Sequence, residues 1–305
     1  MSLEDAKMDT EWAGLLNLDK PPGKTSRDVV NQVARLLPRK VKAGHAGTLD
    51  PLAVGVLVVC VGPATRLIEN VQRMGKTYRT TILLGARSDT LDRDGVIVET
   101  IDPKAPTLAE IDQALESQRG EILQRPPEHS ALKIDGRRAY DLARAGLPVE
   151  LAPRPVRVDR IEVLSYSWPR LELEIDCGSG TYIRSIARDV GEALGCGALM
   201  ETLARTRIGR FTRESAVAPD QLNRENLAGH LRPALEAVAE LPRITLDAPL
   251  LADVRQGKAL AASRLFDATV PAGEIALVAE SGRLVALAEG DPRRGLVQPR
   301  KVLAL

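Results

Sequence analysis

Asp50 is the residue of this chain best placed to do chemistry. It lies in Gly44-His45-Ala46-Gly47-Thr48-Leu49-Asp50-Pro51-Leu52-Ala53, between a Gly-rich polar loop and the apolar run Leu52–Val61. Pro51 has no N–H to donate and biases Asp50 toward an extended conformation. The carboxylate is therefore expected at a loop-to-strand junction, where Gly44 and Gly47 let a ligand approach the backbone closely. An arbitrary Asp-Pro is more often a plain turn ahead of a core strand, so this spacing alone leaves both readings open. The rest of the chain narrows the chemistry. The three histidines and three cysteines form no His-x-x-x-His or Cys-x-x-Cys pair, which speaks against a protein metal site. There is no phosphate-cradling P-loop and no dinucleotide fingerprint. These absences point away from a bound metal or nucleotide cofactor.

Further motifs flank Asp50. Upstream lies Leu18-Asp19-Lys20-Pro21-Pro22-Gly23-Lys24-Thr25-Ser26; downstream come Lys76-Thr77-Tyr78-Arg79 with Leu84-Gly85. Then follow Arg125-Pro126-Pro127, Ser130-Ala131-Leu132-Lys133, Gly136-Arg137-Arg138-Ala139-Tyr140, and Cys177-Gly178-Ser179-Gly180-Thr181-Tyr182-Ile183-Arg184. The Asp50 segment closely resembles the catalytic motif of the TruB family of tRNA pseudouridine synthases. The other motifs resemble that family's motifs in the same order, from about residue 15 to residue 210. The chain departs from the pattern at His129, where the family usually has Tyr, and at Gly178-Ser179, where it usually has Ser-Lys.

Formal net charge is only +1, so global charge does not announce nucleic acid; local charge does. Lys20, Lys24, Arg27, Arg35, Arg39, Lys40 and Lys42 crowd one stretch, and Arg205, Arg207, Arg210 and Arg213 another. A third cluster is Arg293, Arg294, Arg300 and Lys301. Any one of these alone is more often a solvated face. Clusters framing a candidate site favour phosphate binding. The widely spaced cysteines suggest a reducing cytoplasm, and no apolar stretch has membrane-spanning length.

The elements that must position these residues follow from pattern. Thr25 and Ser26 can cap a helix over Arg27–Leu37, with Val29, Val30, Val33, Leu36 and Leu37 on one face. Leu52–Val61 reads as a buried strand, Ala64–Met74 as a helix, and Lys76–Leu84 as an alternating strand. Thr107-Leu108-Ala109-Glu110 is a capping box opening a helix to about Gln118, and Gly120–Leu123 is a short strand. Arg125–Arg154 is a polar, basic excursion with a helical patch near Tyr140–Ala145. Val156–Leu164 and Arg170–Cys177 read as paired strands, Tyr182–Leu194 as a helix, Leu199–Arg207 as a strand and Arg224–Ala239 as a helix. After the linker Leu241-Pro242 come short strands at Ile275–Glu280, Leu284–Glu289 and Lys301–Leu305.

The resemblance implies an α/β (α+β) pseudouridine synthase fold: a mixed, largely antiparallel sheet with a central basic cleft, plus a small β-rich PUA-like C-terminal domain. The expected domains are 10–240, with an RNA-binding insertion at about 125–154, and 243–305. It implies isomerisation of the T-loop uridine of tRNA: N1–C1′ cleavage, rotation of the flipped base and C5–C1′ joining. Asp50 would attack C1′ or remove the C2′ proton, and both routes need it ionised. Arg184 would pair with it. Tyr78 and Tyr182 would be the active-site tyrosines, Tyr78 under the base, with Leu203 as a pocket wall. His45 would enter the space vacated by flipped nucleotides. Lys20 would support the pocket wall or touch a phosphate. Lys133, Arg137 and Arg138 would grip the RNA. The expected partner is the T-arm stem-loop of tRNA, with no membrane and no obligatory protein partner, and the enzyme a monomer. Two alternatives stand beside this: the catalytic subunit of a guide-RNA-dependent pseudouridylation complex, and an RNA-binding or RNA-folding protein with secondary catalysis.

Overall fold

The computed structural model describes residues 12–130, 132–134, 137–138, 151–265 and 269–303. The first strand, β1 (Gly14–Lys20), leads through a Pro-Pro-Gly turn to α1 (Ser26–Leu36). Thr25 caps α1 and closes a capping box with Asp28, satisfying backbone donors at the helix start. Ser26 does other work: it is buried, and its Oγ donates to the Leu49 carbonyl at 3.2 Å and accepts from the Leu49 N–H at 2.8 Å. Then come β2 (Ala43–His45), β3 (Val54–Val61), α2 (Ile68–Arg73), β4 (Lys76–Leu84), β5 (Ala86–Ser88), β6 (Ile97–Glu99), α3 (Leu108–Glu116) and β7 (Gly120–Gln124). The insertion carries β8 (Lys133–Ile134) and β9 (Arg137–Arg138), which pair with each other in a separate two-stranded sheet. After it follow β10 (Arg154–Ser167), β11 (Arg170–Cys177), α4 (Ile183–Ala193), β12 (Ala198–Ile208) and β13 (Phe211–Thr212). The expected helical patch near Tyr140–Ala145 lies outside the described residues.

The main sheet has nine strands in the order β1-β3-β12-β4-β11-β10-β7, with β13 beside β12 and β2 beside β3. Only the β3–β12 pairing is parallel; the sheet is mixed and largely antiparallel, as expected. Period-two patterning sets its faces. Tyr78, Thr80, Ile82 and Leu84 of β4 and Leu171, Leu173 and Ile175 of β11 are buried. They pack against α3 and α4 through Ile111, Leu115, Ile183, Ile186 and Val190. The opposite face is polar, where Arg79 pairs with Glu174, and Asp176 with both Arg160 and Arg207. At the other end, α1 buries Val29, Val30 and Val33 against Leu16, Leu18, Leu57 and Val59.

β14 (Arg243–Leu246), α5 (Ala248–Arg255), β15 (Leu260–Ala261), β16 (Gly273–Ala279), β17 (Leu284–Asp291) and β18 (Leu296–Val302) build a separate five-stranded sheet in the order β14-β16-β17-β18-β15. Its Ala276, Val278, Leu284 and Leu287 share a core with Val56, Val58, Leu67 and Val71 of the main body. Polar contacts join the two, including Asn70 Nδ2 to Glu274 Oε2 at 3.3 Å and Lys301 to Glu69 at 3.2 Å.

Several expectations need correction. Arg224–Ala239 is not a continuous helix but two 3-10 turns, Leu227–His230 and Ala234–Val238. Pro233 between them cannot donate an i→i−4 bond, and Asn223 Oδ1 accepts from Glu225 and Asn226 N–H instead. The Ala64–Met74 helix begins as a 3-10 turn, Gly62–Leu67, with Pro63 in its first turn. The last strand is Leu296–Val302 rather than Lys301–Leu305. Strand β1 was not foreseen at all.

Candidate active site

The loop between β2 and β3 carries Asp50, and its carbonyls from Gly47 through Pro51 are all held. The Gly47 and Thr48 carbonyls accept from Arg205 at 3.2 and 3.4 Å. Leu49 is held both ways by Ser26. The Asp50 carbonyl accepts from Ala53 N–H at 3.1 Å, and the Pro51 carbonyl from Gly23 N–H at 2.8 Å. Gly47 has φ +117, a conformation that glycine adopts without strain. The loop is thus preorganised, and its carboxylate opens into a pocket lined by Leu49, Tyr78, Tyr182, Arg184, Leu203 and Arg205 among others.

Arg184 stands in the first turn of α4, 6% exposed. Its Nε lies 3.1 Å from Asp50 Oδ2, and its Nη2 donates to Asp50 Oδ1 at 3.3 Å, the forked geometry that suits a guanidinium to a carboxylate. The remaining donors reach the Thr90 carbonyl at 3.0 Å, the His129 carbonyl at 3.0 Å and Asp92 Oδ2 at 3.3 Å. Burial pushes the Asp50 carboxyl above its usual range; Arg184 opposes this and Asp92 adds to it. Since His129 serves Arg184 through its backbone, its departure from the family's Tyr leaves this bond intact.

Asp92 is a member of the site that the sequence reading missed. It is 4% exposed. Its Oδ1 accepts from Thr90 Oγ1 at 2.6 Å and from Asp94 N–H at 3.1 Å. The preceding Leu91 has φ +62, uncommon for a side-chain-bearing residue, and its carbonyl is fixed by Met200 N–H at 3.0 Å. The signal available was Asp89-Thr90-Leu91-Asp92-Arg93-Asp94-Gly95, a run of turn-forming acids.

Tyr78 rises from β4 into the pocket, buried; burial pushes its hydroxyl up while Arg205 works against that. Leu203 projects from β12 into the same pocket. Tyr182 precedes α4, its backbone clamped by Gln124, which accepts from its N–H at 2.8 Å and donates to its carbonyl at 3.1 Å. The Arg154 guanidinium lies 5.1 Å from the centre of the Tyr182 ring, within cation–π range. Lys76 also lines the pocket, its ammonium donating to the Gln72 and Met74 carbonyls at 2.6 Å each. Burial brings it down to about 8.

Not every expected residue joins this group. Lys20 is fully buried, and its Nζ donates to the Pro21, Lys24 and Pro51 carbonyls at 2.9, 2.6 and 3.2 Å. Its ammonium is thus committed to the loop behind Asp50 and not to a phosphate; burial lowers it to about 8. His45 is half-buried on β2 and does not line the pocket. Burial and the nearby Arg27 and Arg205 pull it below its usual value, favouring neutral imidazole. Lys133 and Arg138 face each other across the β8–β9 ladder, as do Ile134 and Arg137, apart from the main sheet. The Arg205–Arg213 cluster is split: Arg205 is buried, while Arg207 bonds Asp176 and Arg213 bonds Asp19.

The sequence matches the TruB family pseudouridylate synthase N-terminal domain over residues 35–183 and the tRNA pseudouridylate synthase B C-terminal domain over residues 184–240. The chain belongs to the TruB family. Among TruB relatives, it is 42% identical over 287 residues to the tRNA pseudouridine synthase B of Syntrophobacter fumaroxidans, covering 91% of this chain and 93% of that one. The enzyme of the same name from Aromatoleum aromaticum is 41% identical, covering 95% and 92%. Among solved structures, a Cbf5-Nop10-Gar1 complex contains a chain matched with TM-score 0.72 and 28% identity, covering 98% of this chain and 87% of that chain. The boundary between the two TruB family domains falls between Ile183 and Arg184, so Asp50 and its cationic partner come from different ones.

Proposed function

We propose that this chain isomerises the T-loop uridine of tRNA to pseudouridine; its relatives bear the name tRNA pseudouridine synthase B. The observation that carries this is the Asp50 carboxylate, forked on Arg184 and opening into a pocket walled by Tyr78, Tyr182 and Leu203. A uridine in a folded loop must be extruded to reach such a pocket. Asp50 then meets the sugar. It either attacks C1′ as N1 leaves, giving a covalent ester, or takes the C2′ proton as N1 leaves, giving a glycal. The freed base turns and C5 joins C1′, expelling the Asp50 carboxylate in the ester route or taking the Asp50 proton back at C2′ in the glycal route; the C5 proton then departs and N1 ends protonated. The product has the atoms of the substrate, so the reaction is an isomerisation. Tyr78 supports the base, and its hydroxyl relays the C5 proton.

Residues 10–240 form the catalytic domain in this proposal, with 243–305 as a PUA-like RNA-binding module, and the enzyme acts as a monomer without a protein partner. A synthetic T-arm hairpin incubated with the purified protein, then digested and assayed for pseudouridine, tests the function. Product without added guide RNA supports the stand-alone enzyme over a guide-dependent subunit; no product from the bare hairpin rejects it. Among the described residues, no helix is long and apolar enough to cross a membrane.

Two outcomes follow from the chemistry. Arg184 already supplies the positive charge beside Asp50, and the isomerisation needs no oxidant. EDTA should therefore leave the rate on a prefolded hairpin unchanged, whereas inhibition reversed by a divalent metal would refute the metal-free route. Phosphate contacts position RNA without reading sequence. Neutralising Lys133, Arg137 and Arg138 should weaken T-loop and scrambled-loop hairpins alike. It should also flatten log affinity against log salt by about 0.7–0.9 per lost contact. If only T-loop binding falls and the slope holds, the insertion reads shape or sequence instead.

A further inference from the structure

Arg205 is 1% exposed and among the largest fully buried side chains in the protein. It projects from β12, whose backbone there is flanked by Tyr78 of β4 and Gly55 of β3. The fit is close: Gly55 has φ +101, and a Cβ added there would lie 2.2 Å from the Arg205 carbonyl. The guanidinium donates from Nε to the Val56 carbonyl at 2.8 Å, from Nη1 to Thr48 at 3.4 Å and from Nη2 to Gly47 at 3.2 Å. Among the described residues no carboxylate pairs with it in a salt bridge. A buried, unpaired cation is costly, yet its donors span the strand that follows Asp50 and the loop that precedes it.

A bulge explains how one strand holds Arg205 inside and Arg207 outside. The register of β12 on β4 shifts between them, so that Arg205 pairs with Tyr78 and Arg207 with Thr77. Arg207 consequently reaches Asp176 on the polar face, while Arg205 remains with Tyr78 and Leu203 on the pocket side. Bulges re-aim side chains in this way beside active sites.

We propose that Arg205 is a positioning residue of the isomerisation, tying the Gly47–Thr48 carbonyls to β3 and so fixing where Asp50 meets the sugar. This rests on the function proposed above. The planar fork is what the task needs, because its donors address separate carbonyls in fixed directions, whereas a lysine ammonium is a compact point charge on a flexible stem. The side chain stays off the RNA backbone.

The test compares Arg205→Gln and Arg205→Lys with the parent on a T-arm hairpin, by single-turnover rate at saturating enzyme, hairpin Kd at several salt concentrations, and thermal melting. The expected result is a rate loss of about 100-fold for Gln, the scale of a 1 Å misplacement, with a smaller loss for Lys. Kd should stay within about threefold, and the salt slope should change by less than the about 0.7–0.9 of a single phosphate contact. Folded variants with the parent rate overturn the proposal. So does lost affinity with a flattened salt slope at an unchanged rate, which would make Arg205 a phosphate ligand. If neither variant folds, Gly47→Ala decides, since it strains the loop at φ +117 and leaves the buried cation in place; a parent-like rate there also overturns it. Absence of product with the parent chain would instead bring down the function and this role together, a result distinct from an active parent with unaffected variants.

Discussion

Asp50→Asn is expected to abolish pseudouridine formation while leaving hairpin affinity within about tenfold, or about 1.4 kcal/mol. Asparagine preserves size and the backbone contacts of the loop but is neither a competent nucleophile nor a base. Among the described residues, no other carboxylate lines the pocket. Asp92 is 4% exposed and does not line the pocket, and the Lys20 ammonium is committed to carbonyls. Affinity should survive because it comes from basic surface and from the pocket walls. Hairpin turnover and Kd measured on the same preparation, with mass spectrometry to exclude deamidation back to Asp, decide the point. Substantial residual turnover by an intact Asn variant would sink the assignment of Asp50.

Arg184→Gln is expected to cost both rate and stability, and to move the pH profile. The guanidinium is shared by Asp50 and Asp92; removing it leaves the buried Asp92 carboxylate without its cation. Breaking a buried pair from one side typically costs about 3–5 kcal/mol. Asp50 already sits above the ordinary carboxylate range because of burial, with Arg184 opposing that rise. Without Arg184 the carboxyl climbs further, so less of it is ionised at a given pH. The acid limb of the single-turnover rate must then move to higher pH, with Arg184→Lys moving it less. The linkage has the same direction. A carboxyl raised in the folded state favours folding fully below its unfolded value, and that advantage is lost as pH rises through its folded value. Rates and melting temperatures collected from pH 5 to 9 test both arms. An acid limb that stays put in the Gln variant would show that Arg184 does not govern the ionisation of Asp50.

Much of the fold was legible because its residues obey local rules, whereas the pairing of Asp50 with Arg184 and the pocket roles of Tyr78, Tyr182 and Leu203 were legible through the resemblance to the TruB family. The alternation in β4 and β11 gave their observed bounds, Lys76–Leu84 and Arg170–Cys177, since one face is buried and the other charged. The Thr107 capping box was readable from its spacing and is present. What stayed hidden was long-range. Asp92 looks like any turn acid until α4 brings Arg184 against it. Arg205 looks like one of several surface arginines, because no sequence pattern marks a bulge. For Lys20 the sequence left support of the pocket wall and a phosphate contact both open, because the carbonyls that take its ammonium converge only once β1, the following turn and Pro51 are folded together. The stretch 224–239 misled because its helical composition outweighed Pro233, which splits it into separate turns.

The bulge in β12 also bears on what changes this enzyme can accumulate. Substitution at Arg205 or Arg207 alters one side chain, but pairing β12 straight along β4, with Thr206 no longer looped out, would shift every residue after Arg205 by one position. Arg207 would then be carried inward and the buried Ile208 turned toward the charged face. The place of the extra residue in β12 is therefore constrained separately from residue identity. Insertions and deletions that preserve activity should gather at the bulge itself and in the turns on either side, where they leave these faces unchanged.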